Sequence, residues 1–365
     1  MAIDTSCDET ALSLFDEHDY FTGKRVADCL VSEVVSSQVD LHAEYGGVVP
    51  ELAAREHLVN FPHLLGALLK PINGDIEAIS SVAVTRGPGL NGCLLVGLCF
   101  GKGLALGARI PLVLLNHIEG HLFGAMFSAD FNAFEYPALA LIVSGGHTLL
   151  VNVKGFRQYE IIAQTRDDAA GEAFDKCASL IGLGYPGGPK LSKLAQSGDA
   201  TKYRLPIGLN KDNTSFSFSG LKTAVYRLVQ DLDSEVENEQ VKADVCASVE
   251  NAIVVALIEK TKAGLNAVGA KQLFLCGGVA ANATLRKELK NLAEEFSCRL
   301  IFPPIKYCTD NASMMGALAL EILKQDKDGY ESIRNMMRNG VYRGTKFRED
   351  AAGAKPRFPL TEVSN

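Results

Sequence analysis

The sequence lacks the features that would place the chain in a membrane or on a secretory route. No uninterrupted apolar run reaches about eighteen residues, the length that spans a bilayer. The first eight residues, MAIDTSCD, carry acidic side chains where a secretory signal carries positive charge. We therefore expect a cytoplasmic protein that has no contact with a membrane.

Paired cysteine motifs are also missing. The chain has nine cysteines, an odd number, and no two of them form a C-x-x-C pair. This pattern argues against a disulfide framework and against a zinc knuckle, and reduced thiols are typical of the cytosol. The formal net charge of −7 is unfavourable for a protein that binds nucleic acid by charge alone. An RNA substrate would require a local basic patch or a partner protein.

The chain is long enough, at 365 residues, for two domains with separate cores. Two segments, 2–15 and 138–153, repeat one pattern: an apolar strand, a turn of small polar residues and a second apolar strand. Glycine and hydroxylated residues allow such a turn to close tightly and leave backbone N–H groups for an anion. The two segments are either one device used twice or two ordinary hairpins.

Between and after these segments, strands alternate with helices. Strands are predicted at 81–85 and 272–276, and apolar residues that recur with the period of a helix predict four helices. These helices cover residues 50–69, 92–106, 247–268 and 283–296. The alternation predicts an α/β protein. The tail from residue 344 is polar and is expected to fray.

Two histidines in the segment NHIEGH are candidates for metal ligands. His117 and His121 lie four residues apart, so on a helix they project from one face. Asp310 is the candidate third ligand, and two imidazoles with one carboxylate suit Fe²⁺, Zn²⁺ or Mn²⁺ better than Mg²⁺ or Ca²⁺. Glu119 does not follow the first histidine directly, so the H-E-x-x-H protease motif is absent. The alternatives are two ordinary histidines and an aspartate that caps a helix.

Three glycine-rich turns lie at 144–148, 185–189 and 277–282. The last joins a predicted strand to a helix, where a phosphate can approach the backbone. Asn282 either caps that helix or hydrogen-bonds an adenine. Asp175 lies four residues after Gly171, so on a helix it shares a face with a position that has no side chain, and it is a candidate ribose ligand.

A fourth glycine cluster does not predict a dinucleotide site. Residues 87–92 match G-x-G-x-x-G. The acidic residue that a dinucleotide site requires about 20 positions later is absent, because residues 105–111 contain no acid.

Taken together, the motifs resemble those of the bacterial tRNA adenosine threonylcarbamoyltransferase family. Ten blocks carry the resemblance, in order along most of the chain: AIDTSCDETA, YGGVVPELAAREH, TRGPGLNGCLLVG, NHIEGH, LIVSGGHT, DDAAGEAFDK, YPGGP, FSFSGLKTAV, CGGVAANATLR and YCTDNASM. The resemblance implies an α/β fold of two ribonuclease-H-like domains, the actin, heat-shock chaperone and sugar-kinase superfold, with an interdomain cleft. The implied domains are 1–131 completed by 311–343, and 132–310, followed by the tail 344–365.

The resemblance also implies the site residues. It makes His117, His121 and Asp310 the ligands of one divalent metal per subunit, expected to be Fe²⁺, with Zn²⁺ and Mn²⁺ as alternatives. Asp8 and Glu9 match the acidic pair of the first loop and are the catalytic candidates. The implied substrate-binding residues are Ile142, Val143, Ser144, Gly145, Gly146, Asp175, Gly188 and Asn282. The family often has an aspartate where this chain has Ser192, which puts a ribose contact from that position in doubt.

The implied reaction transfers a threonylcarbamoyl group from threonylcarbamoyl-adenylate to N6 of adenosine 37, in tRNAs that read codons beginning with A, and releases AMP. The implied partners are a non-catalytic paralogue and a small ATPase. The helices predicted at 50–69 and 92–106 are candidates for the paralogue contact, and plain core packing is the alternative.

Three other functions are weighed against this one. A metal-dependent glycoprotein peptidase is disfavoured by the missing H-E-x-x-H base. An ATP-dependent small-molecule kinase is allowed by the superfold, but a His/His/Asp metal site is unusual for Mg²⁺-assisted phosphoryl transfer. A scaffold paralogue without activity would have no need of the three metal ligands.

Overall fold

The computed structural model describes residues 1–208, 212, 214–338 and 353–363. Within these residues the chain forms two units, Met1–Ala129 with Asp310–Ser364, and Asp130–Thr309. The predicted domain boundaries at residues 131 and 310 stay predictions. Parts of the predicted first domain (339–343) and of the predicted tail (344–352, 364 and 365) lie outside the described residues.

Eleven strands are present in the described part of the chain. They are β1 (Ala2–Asp4), β2 (Glu9–Phe15), β3 (Leu30–Ser37), β4 (Val82–Gly87), β5 (Leu112–Asn116), β6 (Ala138–Val143), β7 (Thr148–Gly155), β8 (Gln158–Thr165), β9 (Ser215–Phe216), β10 (Gln272–Cys276) and β11 (Arg299–Ile301). The α-helices are α1 (Glu17–Phe21), α2 (Val39–Ala43), α3 (Pro50–Leu68), α4 (Asn91–Ala108), α5 (His117–Phe123), α6 (Ala170–Leu180), α7 (Gly188–Ala195), α8 (Ser219–Leu232), α9 (Glu239–Val268), α10 (Ala283–Glu295), α11 (Ala312–Gln325) and α12 (Lys327–Arg338).

The two units share one sheet topology. The first sheet has the order β3-β2-β1-β4-β5, and the second has the order β9-β8-β7-β6-β10-β11 when it is read from its β9 edge. The first three strands of each unit are antiparallel neighbours, and two later strands, β4 and β5 in the first unit and β10 and β11 in the second, join them in parallel. The second sheet has one additional strand, β9, which pairs in parallel with β8. Strands β1 and β2 therefore correspond to β6 and β7. Each of the two segments forms an antiparallel hairpin, and the two hairpins occupy equivalent places in their sheets, so the repeated strand–turn–strand pattern is one device used twice.

Each unit has its own apolar core. In the second unit, β6 lies between β7 and β10, and all six of its residues are buried. A central strand covered on both faces reads as a continuous apolar run, which explains the sequence ALALIV. The first unit has a separate core cluster that includes Ile3, Phe61, Val84 and Leu98. The predicted α/β class is confirmed.

Most helix boundaries agree with the sequence patterns, and one does not. Helix α3 begins at Pro50 and ends one residue before the predicted end, and α10 begins at Ala283 as predicted. Helix α9 begins at Glu239, eight residues before the predicted start at 247. Its first turns carry charged residues that obscured the apolar period, whereas the side chain of Asn238 accepts hydrogen bonds from Gln240 and Val241 and so caps the helix.

Helix α4 is long and apolar enough to cross a membrane by length and composition. The helix is not an uninterrupted apolar run, because Asn91 and Lys102 lie within it. The helix instead packs closely on the first sheet. A Cβ at Gly97 would lie 2.2 Å from Thr5 Oγ1, and one at Gly101 would lie 2.2 Å from Val84 Cγ2. The two glycines thus permit a helix–sheet contact that larger residues would prevent, as in a core helix of a globular unit.

The described part of the tail does not fray. Residues 353–363 lie against the first unit, and Phe358, Leu360 and Val363 are buried. The fraying expected from composition is wrong for this segment, because its few apolar side chains are the ones that pack.

Candidate functional site

The metal-ligand candidates His117 and His121 lie on the short helix α5, which follows β5 directly. Asn116 caps this helix: its Oδ1 accepts hydrogen bonds from the N–H groups of Ile118 (2.9 Å) and Glu119 (3.1 Å). Both histidines are buried, and their rings meet edge to face with centroids 4.7 Å apart. The helical spacing therefore places both imidazoles on one face, as the sequence predicts.

Asp310 joins the two histidines from the far end of the sequence. Its Oδ1 lies 3.3 Å from His121 Nε2 and 3.5 Å from His117 Nε2. One potential ligand atom from each residue lies within 4.8 Å of the other two. The next residue, Asn311, caps α11 by accepting a hydrogen bond from the Met314 N–H (2.8 Å). Asp310 is therefore not the cap, and its carboxylate is available to the histidines.

The pKa values of His117 and Asp310 depend on burial and on the opposite charges that lie close to each group. Burial alone would lower the pKa of His117, but the carboxylates of Asp310 and Asp4 outweigh it and raise that pKa well above the usual range. Burial alone would raise the pKa of Asp310, but His117 and His121 hold it well below the usual range. Asp310 is accordingly a carboxylate ready to bind a cation.

The cluster fits a divalent cation. Both ring nitrogens of His121 are buried and, although Nε2 lies 3.3 Å from Asp310 Oδ1, neither makes a hydrogen bond of good geometry in the part of the chain that the structure describes. An unsatisfied buried polar atom is costly, and a cation next to Nε2 would satisfy this one. Two imidazole nitrogens and one carboxylate oxygen form a donor set that suits Fe²⁺, Zn²⁺ or Mn²⁺.

The second ring nitrogen of His117 has partners that the sequence patterns did not indicate. His117 Nδ1 lies 3.2 Å from Asp4 Oδ2 and 3.1 Å from Ser6 Oγ. A metal-bound histidine commonly donates its other N–H to a carboxylate, which fixes the tautomer and the ring plane. Asp4 lies at the end of β1, 113 positions before His117, so sequence spacing gave no signal of the contact.

The catalytic candidates Asp8 and Glu9 lie near the metal-ligand cluster, Asp8 at the end of the loop after β1 and Glu9 at the start of β2. Burial raises the pKa of Glu9 well above its usual range, and the charges of Asp310 and Asp8 raise it further. The pKa of the Cys7 thiol is also raised well above its usual value, first by burial and then by the charge of Asp8. Cys7 therefore stays protonated and is a poor nucleophile.

A buried polar network supports the segment that contains Cys7 and Asp8. His57 Nε2 lies 3.0 Å from the Cys7 carbonyl oxygen, and His57 Nδ1 lies 2.7 Å from Thr10 Oγ1. The Gln38 N–H donates to the Asp8 carbonyl oxygen (3.0 Å). His57 is fully buried in α3, a helix predicted only from its apolar period. A histidine on the buried face of that helix was the signal that could have revealed the network.

In the second unit, five of the predicted substrate-binding residues, 142–146, lie at the end of β6 and in the turn that follows it. The side chains of Ile142 and Val143 are fully buried in the sheet, so only their backbone can reach a ligand. The N–H groups of Gly145 and Gly146 donate to no backbone carbonyl of the described residues. Gly171 of α6 packs against this turn, since a Cβ there would lie 2.6 Å from the Ser144 carbonyl oxygen. The turn thus presents open N–H groups on a firmly supported backbone.

Asp175 lies one turn after Gly171 on α6, as predicted, and contacts the start of α7. Its Oδ1 accepts hydrogen bonds from the N–H groups of Gly187 and Gly188, both at 2.8 Å. Burial raises the pKa of Asp175, and these two N–H groups act in the opposite direction. The predicted substrate-binding residues Asp175 and Gly188 are therefore neighbours.

Asn282 is held by several internal contacts. Its Oδ1 accepts from the Leu285 N–H (2.7 Å), so the predicted cap of α10 is confirmed. Its Nδ2 donates to Ser192 Oγ (2.9 Å) and to Glu250 Oε1 (2.6 Å). Glu250 Oε2 accepts a further hydrogen bond from Thr284 Oγ1 (2.7 Å). Ser192, at the position where the family often has aspartate, therefore supports Asn282, and Glu250 is a site neighbour that the sequence patterns missed.

The predicted site residues thus form one cluster in each unit. In the first unit the metal-ligand candidates and the acidic pair come together. In the second unit the turn 142–146, Asp175 and Gly188 lie around α6 and the start of α7, and Asn282 contacts Ser192 of the same α7. The role of each residue toward a substrate stays a prediction.

Comparisons with known proteins agree with this picture. Residues 29–317 match the model of the tRNA N6-adenosine threonylcarbamoyltransferase family. A protein of that name from Caldicellulosiruptor saccharolyticus is 42% identical over 334 residues, which cover 91% of this chain and 95% of that protein. Those from Synechococcus sp. (strain JA-3-3Ab) and Kosmotoga olearia are 47% and 45% identical, covering 88% and 89% of this chain and 86% and 93% of the relatives.

Solved structures support the fold. Component A of the (R)-2-hydroxyglutaryl-CoA dehydratase of Acidaminococcus fermentans superposes with a TM-score of 0.50 at 14% identity, covering 89% of this chain and 96% of that one. Full-length HypF in its phosphate- and nucleotide-bound form gives 0.52 at 14% identity, with 81% of this chain and 44% of that one covered. The predicted fold class, the two-domain α/β architecture of the actin, heat-shock chaperone and sugar-kinase superfold, is confirmed. With the match to the family model over residues 29–317, the chain belongs to the tRNA N6-adenosine threonylcarbamoyltransferase family.

Proposed function

We propose that the chain transfers a threonylcarbamoyl group from threonylcarbamoyl-adenylate to N6 of adenosine 37 in tRNAs that read codons beginning with A. In this reaction the N6 amine attacks the carbamoyl carbon. The new N–C bond forms, the C–O bond to the phosphate breaks, and AMP leaves while the amine loses a proton. The observation that carries the proposal is the cluster of two buried histidines, His117 and His121, with the partly exposed Asp310, in a chain that matches the family along 29–317.

The metal-ligand cluster is proposed to hold one divalent cation, Fe²⁺ in preference to Zn²⁺ or Mn²⁺. When bound, such a cation supplies Lewis-acid stabilisation and a fixed point for orienting oxygen atoms. His117 and His121 would bind it through their Nε2 atoms, which both face Asp310 Oδ1. Asp4 would keep the proton of His117 on Nδ1, so that Nε2 stays free for the cation.

The acidic pair is proposed to handle the proton of the attacking amine. Burial and the neighbouring carboxylates raise the pKa of Glu9, so that its carboxylate is a stronger base than that of an exposed glutamate. Asp8 would orient the amine, since its backbone is fixed by Gln38. The mixed anhydride of the donor is already activated, so no covalent enzyme intermediate is required, and the protonated Cys7 offers none.

The second unit is proposed to bind the nucleotide part of the donor. The open N–H groups of Gly145 and Gly146 suit the charged phosphate. Asp175 is proposed to accept a hydrogen bond from the ribose, while Gly188 leaves space beside it. Asn282 already uses both amide protons, so a contact between it and the nucleotide would replace one of its present partners.

We further propose a cytoplasmic protein that works with a non-catalytic paralogue and a small ATPase. The acidic net charge of −7 favours partners that help to hold the tRNA. Helices α3 and α4 expose Leu58, Val59, Leu95 and Leu106. Exposed apolar side chains on neighbouring helices are suited to a protein partner, so this surface is the proposed paralogue contact.

A single-turnover assay tests the function. The purified chain, its partners, unmodified tRNA and threonylcarbamoyl-adenylate are mixed, and mass spectrometry of the digested nucleosides measures threonylcarbamoyladenosine. We expect the wild type and the control variant Asp16→Asn to form the product. We expect the rate of Asp310→Ala to fall by at least about 100-fold, because this variant lacks one of the three proposed metal ligands. Equal rates for Asp310→Ala and the wild type would contradict the role of the cluster.

Two controls separate the other functions. Casein cleavage by the metal-loaded protein would support the peptidase, and ATP consumption with a small-molecule acceptor would support the kinase. We expect neither, since the chain lacks the H-E-x-x-H base and its donor set is not one that Mg²⁺ prefers.

A further inference from the structure

The C-terminal residues 353–363, here named the C-terminal strap, lie along the end of β4. The Arg86 side chain donates through Nε to the Gly353 carbonyl oxygen (3.0 Å), and the Lys355 N–H donates to the Arg86 carbonyl oxygen (2.9 Å). The Gly89 N–H donates to the Pro356 carbonyl oxygen (3.3 Å). The strap is therefore bound to the first unit by backbone hydrogen bonds.

The sequence leaves space for this contact. A Cβ at Gly87 would lie 1.8 Å from the Lys355 carbonyl oxygen, and Gly87 has a φ of +158°. The side chains of Phe358, Leu360 and Val363 are at most 8% exposed. The strap is thus anchored by buried apolar groups as well as by the backbone.

One side chain connects the strap to the helix of the two histidines. Asn116 is fully buried, and its Nδ2 donates to the Phe358 carbonyl oxygen (2.8 Å). The Oδ1 of the same amide caps α5 through Ile118 and Glu119. A helix of seven residues is too short to be stable alone, so its position depends on its cap and its packing.

We infer that the C-terminal strap is a positioning element for the metal-ligand helix. By holding the amide of Asn116 in one orientation, it fixes the first turn of α5 and with it the direction of His117 and His121. The strap lies beyond residue 317, where the match to the family model ends. The inference rests on the metal site of the proposed function.

The test uses the full chain and three single variants. Leu360→Ala removes a strap anchor that is 2% exposed, and Leu68→Ala removes a fully buried side chain from the core of the same unit, outside α5 and the strap. Glu362→Ala changes an exposed strap residue. A fourth protein ends at residue 352 and lacks the strap. For each, the Zn²⁺ dissociation constant is measured by chelator competition. Hydrogen exchange of residues 117–123 is measured without metal.

Leu360→Ala and the shortened chain are expected to weaken Zn²⁺ binding by about tenfold, the lower range for groups that orient ligands, and to speed exchange in α5. Leu68→Ala should lower the melting temperature with unchanged Zn²⁺ affinity and unchanged exchange in α5, and Glu362→Ala should resemble the wild type. The inference is overturned if Leu360→Ala and Leu68→Ala have the same effects on affinity and exchange at matched loss of stability. Absence of Zn²⁺ binding in the wild type would instead contradict the metal site, while the exchange data, taken without metal, would still decide the role of the strap.

Discussion

Replacing Asp4 by asparagine should weaken metal binding without removing any ligand. Asp4 Oδ2 lies 3.2 Å from His117 Nδ1. Because it belongs to a carboxylate, it can only accept a hydrogen bond from Nδ1–H and cannot donate one. The asparagine amide has the same shape but can donate to Nδ1, which allows the tautomer with the proton on Nε2. That tautomer has no lone pair for the cation at the atom that faces Asp310.

The size of the effect follows from the contacts. Loss of a group that orients a metal-bound histidine costs about 10- to 100-fold in affinity. Ser6 Oγ lies 3.1 Å from His117 Nδ1 and can still accept a hydrogen bond from the Nδ1–H group. We therefore expect the lower value, about tenfold or about 1.4 kcal/mol for Asp4→Asn, and a larger loss when Ser6→Ala is added.

Zn²⁺ titration against a fluorescent chelator measures this loss directly. Asp16→Asn is the matched control, because Asp16 caps α1 and asparagine caps equally well. Should Asp4→Asn bind Zn²⁺ within twofold of the wild type while Asp310→Ala binds none, the proposed control of the His117 tautomer would be refuted.

Three further predictions concern the supports of the two clusters. Gly171→Ala would place a Cβ 2.6 Å from the Ser144 carbonyl oxygen and so displace the turn. Because this displacement weakens substrate binding, the KM for the adenylate donor should rise by about tenfold or more in steady-state assays. Glu250→Gln removes a charged acceptor of Asn282 and should lower the unfolding free energy by about 2 kcal/mol in urea titrations. In the metal-free protein, the raised pKa of Glu9 means that the folded state holds its proton more tightly than the unfolded state. Stability should therefore fall as the pH rises from the usual pKa of glutamate through the raised one, and Glu9→Gln should remove that fall in melting curves recorded across pH.

Each of these predictions has a control in the same unit. Gly220→Ala on α8 has open space around the added methyl group and should leave the donor KM unchanged. Glu259→Gln lies exposed on the same helix as Glu250 and should not change stability measurably. For Glu9, the pH profile of Asp16→Asn should keep the fall seen in the wild type. A donor KM for Gly171→Ala equal to that of Gly220→Ala would show that the turn tolerates displacement.

The strands of the fold and the shared face of the two candidate histidines could be predicted from sequence because their signals are local. Apolar runs such as ALALIV indicate buried strands, and the spacing of His117 and His121 is a property of any helix. The partners that orient these residues could not be predicted in this way. Asp4, His57 and Glu250 contact residues from distant parts of the chain, and nothing in their neighbours distinguishes them from ordinary polar residues. The predicted fraying of the strap was wrong because amino-acid composition does not show which apolar side chains will be buried in the folded protein.

The discontinuity of the first unit has a consequence for biogenesis. His117 and His121 belong to its first segment, whereas Asp310 opens the second segment, after all of Asp130–Thr309. A ribosome therefore completes the cation-binding set only when most of the polypeptide has been made, and a product that stops within the inserted unit carries two imidazoles but no carboxylate to join them. Binding of the proposed cation would thus have to wait until Asp310 has been made, and a chain that stops before it would lack one of the three proposed ligands.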